Sequence, residues 1–553
     1  MGQNNSITTT QRFWELIKIE KADIYSIYFY AALQGMLQLS VPLGIQAIIG
    51  FVLGASMVTS IYVLIFMVVM GVFIVGVLQL NQMRIIEGIQ QKIFARYAFD
   101  LTEKIPQLDL YKTDDYNLPE KVNRFFDTLT LQKGFSKILL DIPTAVIQII
   151  FGLLLLSFYH PFFIAFSLFL TLLLWLMLYF TSKKGLETSI KESTYKYQVV
   201  SWMEEVAKAI KSFKLSQDSE LNIKTIDNKI VNYLFARTQH FLYLIIQYKS
   251  LLAFKTIITA TLLGVGVYLL LSQQLNIGEF IAAEIVILSI IASVEKIIKN
   301  LDTVYDVFTA LEKLASVTEG YLENSGKLDF SKNNFQMELI NFNFKYQNSN
   351  TVLKNINLKI PPNSTICISG EENSGKTTLL KFLSFHFLNY NGDFIINNIP
   401  FKNYDINSLR KRTGIYFFSN EIFTGSVLDN ITMGRTEVSP EKIITLAEDL
   451  GFHNLLQDLP MGFETNIDAE GKQLPKTLSQ KILILRALVN SPNLLIMEQP
   501  WQGLNDDYKE TIINYILDKN RNHTLIVASN DTDFAKKCNY NFELINGELK
   551  PVY

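Results

Sequence analysis

A stretch of 60 residues without a charged side chain, residues 24–83, constrains this chain more than any other feature. An α-helix rises about 1.5 Å per residue, so this stretch is far too long to cross a hydrocarbon core of roughly 30 Å only once. It must turn back, and the small and polar residues 54–60 mark the place. The sequence therefore predicts two membrane-spanning helices here.

Two further apolar regions each predict another pair of spanning helices. The charge-free run of residues 142–182 is interrupted at residues 157–161, where Pro161 restricts the preceding residue and ends a helix. The region from Leu251 to about Val294 is interrupted by polar residues 272–278. We therefore expect six spans in the first part of the chain.

Two carboxylates lie near the last predicted span. We interpret Glu279 as an interfacial residue. Glu284 lies deeper and is a candidate group facing a substrate or proton pathway, because intramembrane carboxylates often line such pathways. A structural partner for Glu284, or a side chain that snorkels to the surface, explains the residue equally well.

The distribution of basic residues predicts the orientation of the spans. Nine Lys or Arg residues lie between the second and third spans and about a dozen between the fourth and fifth, whereas the three short turns contain none. Because positively charged loops stay cytoplasmic, we expect both long polar segments and both termini on the cytoplasmic side of the membrane. These segments have helical apolar spacing and predict helices that extend beyond the bilayer. We expect no cleaved signal peptide.

Composition excludes several classes of protein. The chain is 49% hydrophobic and 18% charged, against about 25% charged residues in soluble proteins, so we expect neither a disordered nor a purely cytosolic protein. Its 50 basic and 52 acidic residues leave no basic field for nucleic acid. The two cysteines, Cys367 and Cys538, cannot form a disulfide scaffold and are interpreted as small buried residues.

The character of the chain changes after Asp302, where Lys, Asn and Asp return. Short β-rich runs at residues 337–346, 353–360 and 364–369 precede a helix from Lys376, which predicts an α/β domain. We expect a membrane domain over residues 1–320 and a separate α/β domain over residues 321–553.

Residues 370–377 fit the pattern G-x-x-x-x-G-K-[ST] between a buried strand and a helix. Glycines let successive backbone N–H groups surround a phosphate at the helix N-terminus. Lys376 would reach the β and γ oxygens, and Thr377 would offer its hydroxyl to Mg²⁺. We therefore predict that residues 321–553 form a P-loop nucleotide-binding domain that binds a nucleoside triphosphate with Mg²⁺, which the family resemblance given below identifies as ATP. The predicted contact residues of this loop are Gly370, Asn373, Ser374, Gly375, Lys376, Thr377 and Thr378.

With these motifs the chain resembles the ABC transporter family, specifically an exporter half-transporter with six spans fused to one nucleotide-binding domain. Residues 39–46 resemble the first span of exporters of the type I secretion group. The resemblance assigns Tyr346 to the aromatic residue that stacks on adenine, and residues 409–431 to the Q-loop region. Only about 20 residues precede the first span, so we expect no leader-peptide cleavage by this chain.

The chain departs from the family at the positions that hydrolyse ATP. By the resemblance, Glu498 replaces the metal-binding Asp, Gln499 replaces the catalytic Glu and Asn530 replaces the switch His. Glu498 remains a candidate Mg²⁺ ligand with Thr377, although its longer side chain shifts the coordination. Gln499 cannot accept a proton, and the loss of a positioned base costs typically about 10²- to 10⁴-fold.

Three further motifs depart from the family. Residues 474–478 replace LSGGQ, Asn505 replaces the D-loop Asp, and the Q-loop glutamine aligns with Phe418 or, with a gap, Asn420. A lone Gln499 could be an engineered trap, whereas the five departures besides Gln499 favour a natural, degenerate domain. We expect weak or absent hydrolysis by this chain.

The resemblance implies partners and leaves two functions open. The first is an exporter subunit paired with a catalytically complete half, with a heterodimer favoured over a homodimer, cargo that includes polypeptide, and a periplasmic adaptor as a further candidate partner. The second is a nucleotide-gated scaffold or regulator of a secretion complex that does not hydrolyse ATP.

The family's cytoplasmic extensions end in coupling helices. We expect these at residues 114–127, with Phe125 and Phe126 as a plug for the nucleotide-binding domain, and at residues 213–221. A packing contact inside the membrane half is an equal alternative for the two phenylalanines.

Overall fold

The computed structural model describes residues 8–54, 59–112, 118–216, 219–319, 322–331, 334–346, 351–417, 421–455, 457, 459–468, 474–518, 520 and 522–552, without the side chains of residues 119, 178 and 180–183. The chain forms two compact units. The first comprises Met1–Gln107 and Tyr116–Gly320, and the second comprises Leu108–Asp115 and Tyr321–Tyr553. Residues 108–115 thus belong with the second unit, although helices of the first precede and follow them in the sequence.

Eleven described α-helices, most of them long, build the first unit. They are α1 (Thr9–Ile19), α2 (Lys21–Gln38), α3 (Ser40–Leu53), α4 (Ser60–Lys104), α5 (Leu118–Asn123), α6 (Asp127–Tyr159), α7 (Phe162–Lys208), α8 (Ile210–Leu215), α9 (Leu221–Leu271), α10 (Ile277–Lys299) and α11 (Leu301–Thr318). Helices α4, α7 and α9 have 45, 47 and 51 residues. Each is about 70 Å long, more than twice the thickness of a hydrocarbon core, so each extends well beyond a bilayer.

Five stretches of the described chain are long and apolar enough to cross a membrane. They are Lys21–Leu53, Ser60–Gln107, Glu120–Tyr159, Leu221–Leu271 and Ile277–Thr318. The fourth expected span corresponds to a shorter apolar stretch, Phe162–Met177, at the start of α7. The three helix breaks fall at the turns that the sequence predicts, because α3 ends at Leu53, α6 at Tyr159 and α9 at Leu271.

Helix α6 occupies the middle of the first unit, where it packs against α2, α4, α10 and α11. Close approach requires small residues: a Cβ added at Gly134 of α6 would lie 2.5 Å from Val307 Cγ2 of α11. Glu284 is half-buried in α10.

In the structure, the residues expected to couple the two domains lie in different surroundings. Phe125 packs against Phe94 in the core of the first unit, with ring centroids 5.3 Å apart, as the packing alternative predicts. Phe126 is 65% exposed. Phe213 lies in α8 against Trp202. Residues 114–117 lie outside the described residues.

The second unit contains twelve described strands and seven described helices. The strands are β1 (Met337–Lys345), β2 (Thr351–Ile360), β3 (Thr365–Ser369), β4 (Asn391–Ile396), β5 (Ile399–Pro400), β6 (Thr413–Tyr416), β7 (Gly425–Ser426), β8 (Asn466–Ile467), β9 (Leu494–Glu498), β10 (Thr524–Ala528), β11 (Tyr540–Ile545) and β12 (Glu548–Pro551). The helices are α12 (Lys376–Leu383), α13 (Ile406–Lys411), α14 (Val427–Thr432), α15 (Pro440–Asp449), α16 (Lys476–Leu488), α17 (Asp506–Ile516) and α18 (Thr532–Lys537).

Two main sheets organise these elements. An antiparallel sheet has the order β2-β1-β4-β5, and a six-stranded sheet has the order β12-β11-β3-β10-β9-β6. In the larger sheet only β11 and β12 pair antiparallel. All five residues of β10 are buried, as expected of a parallel strand covered on both faces. The carboxyl ends of β3, β9 and β10 lie side by side, and the predicted site residues follow those ends.

Candidate functional site

The loop between β3 and α12 has the backbone that a phosphate-binding loop requires. Gly370 has φ +146°, and a Cβ at this position would lie 2.4 Å from the Leu544 carbonyl oxygen. Gly375 has φ +105° and caps α12, and Asn373 also adopts a positive φ of 61°. Only glycine fits at Gly370, so the first glycine of the motif has a steric reason.

The Lys376 ammonium lies over this loop. Its Nζ donates to the Gly370 and Glu371 carbonyl oxygens, at 2.7 and 2.6 Å, and lies 3.4 Å from Ser374 Oγ. Burial lowers the pKa of Lys376 from its ordinary value. Lys376, which is predicted to bind phosphate, is therefore held in a defined position at the loop.

The structure brings together the two residues predicted to bind the metal. The Thr377 hydroxyl, in the first turn of α12, donates to the Glu498 carboxylate at the end of β9. A hydroxyl and a carboxylate are both oxygen ligands of the kind that Mg²⁺ prefers. The longer Glu498 side chain thus reaches the residue with which it would share a metal ion.

Gln499 follows β9 in a left-handed conformation, with φ 46°. Its backbone N–H donates to the Ala528 carbonyl oxygen at 2.9 Å, so the strand ends of β9 and β10 stay joined at this residue. Its side chain is half-buried and ends in an amide, which cannot act as a general base.

Asn530 takes a role that the sequence analysis did not anticipate. Its Oδ1 accepts a hydrogen bond from the Gly370 backbone N–H at 3.0 Å. The sequence analysis identified Asn530 only as the replacement of the switch His and named no partner for it. The partner is the first residue of the P-loop, so Asn530 fastens the loop to the segment that follows β10.

Tyr346 lies beside the P-loop helix. Its hydroxyl and Thr378 Oγ1 are 3.1 Å apart, and its ring meets Phe344 and Phe387 edge to face, with centroids 4.9 and 5.8 Å away. These contacts hold a half-buried aromatic side chain next to the loop. That position is consistent with the adenine contact predicted for Tyr346.

The segment that replaces the family signature is surface-exposed. Pro475 precedes α16 without a side-chain cap, and Pro475, Lys476 and Thr477 are all exposed. Leu478 is buried, with 4% of its surface exposed. Asn505 caps α17 through the Tyr508 N–H. Phe418 and Asn420, the two candidates for the Q-loop position, lie outside the described residues.

Sequence reasoning gave no role to two residues of α16 that make defined contacts. Gln480 Nε2 donates to the Pro500 carbonyl oxygen at 2.8 Å and so fixes the backbone after Gln499. Arg486 Nε donates to the Asn430 carbonyl oxygen at 2.6 Å, and burial lowers its pKa. Their positions two and eight residues after Leu478 were the only available signal.

A second omission is the short segment of residues 108–112. Asp109 is 3% exposed and accepts from Asn389 Nδ2 at 2.9 Å. The Tyr111 ring meets Phe344 with centroids 5.6 Å apart, and Phe344 in turn contacts Tyr346. This segment therefore contacts Phe344, which in turn packs against Tyr346 beside the P-loop.

The residues present fit a nucleoside triphosphate with Mg²⁺. The glycine cradle, the Lys376 ammonium and the start of α12 suit phosphate oxygens, and the Thr377 and Glu498 oxygens suit the cation. The same residues offer no carboxylate at position 499 to accept a proton.

Comparisons with known proteins place the chain in a family. The family models for the ABC transporter transmembrane region and the ABC transporter match residues 24–294 and 353–502. The alpha-hemolysin translocation ATP-binding protein HlyB of Escherichia coli is 28% identical over 289 residues, 52% of this chain and 41% of that protein. The leukotoxin translocation ATP-binding protein LktB of Mannheimia glucosida is 27% identical over the same shares.

This chain therefore spans about two fifths of the length of these relatives. A solved structure of a bacterial Atm1-family ABC exporter with ATP bound shares the fold, with a TM-score of 0.85 at 15% identity over 96% of this chain and 95% of that one. The helical membrane domain and the α/β domain of the sequence analysis are confirmed. The chain belongs to the ABC transporter family and is an exporter-type half-transporter with an ATP-binding domain.

Proposed function

We propose that this chain binds ATP with Mg²⁺ and exports cargo as one half of a heterodimer whose other half is catalytically complete. The observation that carries the proposal is the arrangement at the ends of β9 and β10. Gln499 stands where the family has its base, and Asn530 is engaged with the Gly370 N–H. The residues that bind nucleotide are thus retained. Residues at the positions that hydrolyse ATP in the family are substituted.

This arrangement favours slow hydrolysis. Phosphoryl transfer depends on positioning and on charge stabilisation, and a missing base alone costs about 10²- to 10⁴-fold. The losses at Gln499, Asn530 and residues 474–478 compound, although not additively. A half that binds nucleotide but turns it over slowly needs a complete partner to drive transport.

Equilibrium binding of a fluorescent ATP analogue to the full chain in lipid nanodiscs tests the first part. Lys376→Ala removes the side-chain cation of the loop and is expected to abolish binding. Lys359→Ala, an exposed lysine of β2, is the matched control and is expected to bind normally. Unchanged binding by Lys376→Ala would contradict the proposed site.

ATPase assays of the chain alone and with a complete half test the second part. We expect little turnover alone and vigorous turnover in the pair. Turnover at ordinary transporter rates by the chain alone contradicts a degenerate site. A stable pair that binds ATP without any cargo export supports the alternative, a nucleotide-gated scaffold of a secretion complex.

We further propose domain boundaries at residues 1–320 and 321–553, an inner bacterial membrane, and cytoplasmic termini. The absence of Lys and Arg from the turns between spans supports this orientation. The relatives' names mention toxin translocation, which makes polypeptide the cargo class that we propose, with a periplasmic adaptor as a further partner. A cysteine at Gln274 should react with an impermeant reagent outside intact cells, and one at Lys327 should not.

A further inference from the structure

The second unit contains a cavity that the nucleotide site does not use. Its volume is about 600 Å³, and every residue that lines it belongs to the second unit. Its walls come from the segment of residues 108–112, the end of β1, residues 388–391 and residues 401–406, together with the chain around residue 324. None of the P-loop residues 370–377, all of which the structure describes, lines it.

Aromatic side chains form one part of the lining. Tyr111 meets Phe344 with ring centroids 5.6 Å apart, and Tyr390 meets Phe401 with centroids 6.3 Å apart. All four residues line the cavity. Burial raises the pKa of Tyr390 to about 12, so its hydroxyl keeps its proton at neutral pH. These surfaces suit the ring of a ligand, which would pack against them and leave water.

Charged side chains form another part of the lining, and they favour an anion. Three lysines, Lys112, Lys345 and Lys402, line the cavity with one carboxylate, that of Asp109. Lys112 Nζ lies 3.5 Å from Asp109 Oδ2, so these two charges compensate each other. Lys345 and Lys402 are exposed, and Lys402 Nζ lies 4.9 Å from the centre of the Tyr390 ring. Two positive charges are therefore left beside the aromatic surfaces.

We propose that this cavity binds a small aromatic phosphate, with its ring against the aromatic side chains and its phosphate at Lys345 and Lys402. The volume falls within the range of about 300–1,000 Å³ that ligand pockets occupy, and such pockets combine aromatic walls with a few polar groups. A phosphate monoester carries about 1.5 to 2 negative charges at neutral pH, which matches the two lysines. A carboxylate would match only one of them.

A ligand in this cavity touches elements that are distant in the sequence. The segment of residues 108–112 and residues 388–391 both line it, and Asn389 Nδ2 already donates to Asp109 Oδ2 at 2.9 Å. The bound ligand adds contacts between these two elements. It is therefore expected to hold the segment more firmly and to slow hydrogen exchange of its backbone N–H groups.

Lysine footprinting of the full chain in nanodiscs tests the location, with 1-naphthyl phosphate as the probe. We expect the probe to slow acetylation of Lys345 and Lys402, measured by peptide mapping, and to leave Lys411 unchanged. Lys411 is an exposed lysine of α13 that does not line the cavity. Protection of neither cavity lysine, or of Lys376 alone, would overturn the proposal. Equal protection by inorganic phosphate would overturn the role of the aromatic surfaces.

Equilibrium dialysis of 1-naphthyl phosphate against matched variants tests the role of charge. Lys402→Gln removes one phosphate partner and is expected to weaken binding roughly threefold to tenfold. Lys402→Arg keeps the charge and its place over the Tyr390 ring, so binding should stay close to that of the unmodified chain. Lys411→Gln is the control and should bind normally. Equal binding by Lys402→Gln and the unmodified chain would overturn the assignment of Lys402.

Hydrogen exchange followed by mass spectrometry tests the effect on the segment. In the unmodified chain, 1-naphthyl phosphate should slow exchange in the peptide that contains residues 108–112. The same probe concentration should have a smaller effect in Lys402→Gln, because less of the probe is bound. Unchanged exchange at a probe concentration that protects Lys345 and Lys402 would overturn the expected contact between the ligand and this segment.

Discussion

The contact that the Asn530 side chain makes differs from the one that the family resemblance assigns to its position. The family resemblance assigns its position to a histidine that acts near the γ-phosphate, whereas here the side chain accepts a hydrogen bond from the Gly370 N–H. Gly370 cannot be replaced without steric conflict, so the loop depends on its backbone being held in one place. We interpret Asn530 as a positioning residue for binding rather than for hydrolysis.

Asn530→Ala leaves the Gly370 N–H without its side-chain acceptor and is expected to weaken ATP binding by roughly threefold to tenfold. Isothermal titration with ATP under conditions that prevent turnover measures the effect. Asn407→Ala, an exposed asparagine of α13, is the control and should bind normally. An unchanged affinity for Asn530→Ala would show that the loop keeps its shape without this bond.

A histidine of the second unit predicts a pH dependence. Burial, together with the charges of Arg410 and Lys381, lowers the pKa of His386 to about 4. In the unfolded chain the ordinary pKa of histidine is about 6.5. Between these values the unfolded chain binds a proton that the folded chain does not, so stability falls as the pH drops from about 6.5 towards 4, by at most about 1.4 kcal/mol per pH unit.

Thermal unfolding of the full chain measured from pH 7 to pH 5 tests this dependence. His386→Gln keeps a polar side chain without the titration, so its unfolding midpoint should fall less steeply with acid. His453→Gln changes an exposed histidine and should follow the unmodified chain. Parallel curves for all three proteins would refute a role for His386.

At the level of helices and strands, much of the architecture was predictable from the sequence. Charge-free runs and their polar interruptions predicted the helix breaks after Leu53, Tyr159 and Leu271. The strand before the P-loop and the helix after it also follow from local pattern, because a buried strand, glycines and a helix start each leave a short-range signature. The pairing of Thr377 with Glu498 was expected only through the family resemblance, because the sequence does not give the order of the strands.

Contacts between distant elements were not predictable in the same way. The coupling segment was expected at residues 114–127, yet Asp109 and Tyr111 make the described contacts with the nucleotide-binding domain. The sequence of an aromatic pair such as Phe125 and Phe126 does not distinguish packing inside the membrane domain from docking on the nucleotide-binding domain. The bond from the Gly370 N–H to Asn530 likewise joins residues 160 positions apart.

We therefore expect Tyr111 to transmit the effect of nucleotide binding from the second unit to the first. Tyr111→Ala removes the ring contact with Phe344 and should diminish the ATP-dependent change in labelling of a cysteine at Gln274, with ATP affinity nearly unchanged. Both native cysteines are first replaced by alanine. Phe126→Ala is the control, and uncoupling by Phe126→Ala with normal coupling in Tyr111→Ala would restore the expectation from the sequence.

For the whole molecule, one chain supplies parts to two nucleotide sites of a dimer. The family resemblance places the P-loop of one half opposite the signature segment of the other. This chain therefore contributes Lys376, Glu498 and Gln499 to one site and residues 474–478, of which 475–477 are exposed, to the other. With a complete partner the two sites are unequal, because the first lacks a base and the second lacks only a regular signature.

This inequality predicts an asymmetric response to mutation in the proposed heterodimer. Lys376→Ala in this chain should remove one of the two bound nucleotides and leave most turnover, because the site that it empties already lacks the base worth about 10²- to 10⁴-fold. The corresponding lysine substitution in the complete half should abolish turnover. Nucleotide stoichiometry and ATPase rate measured on the same preparations separate the two effects. Equal loss of turnover from either substitution would mean that both sites hydrolyse ATP, and that the substitutions at Gln499 and residues 474–478 are tolerated by the chemistry.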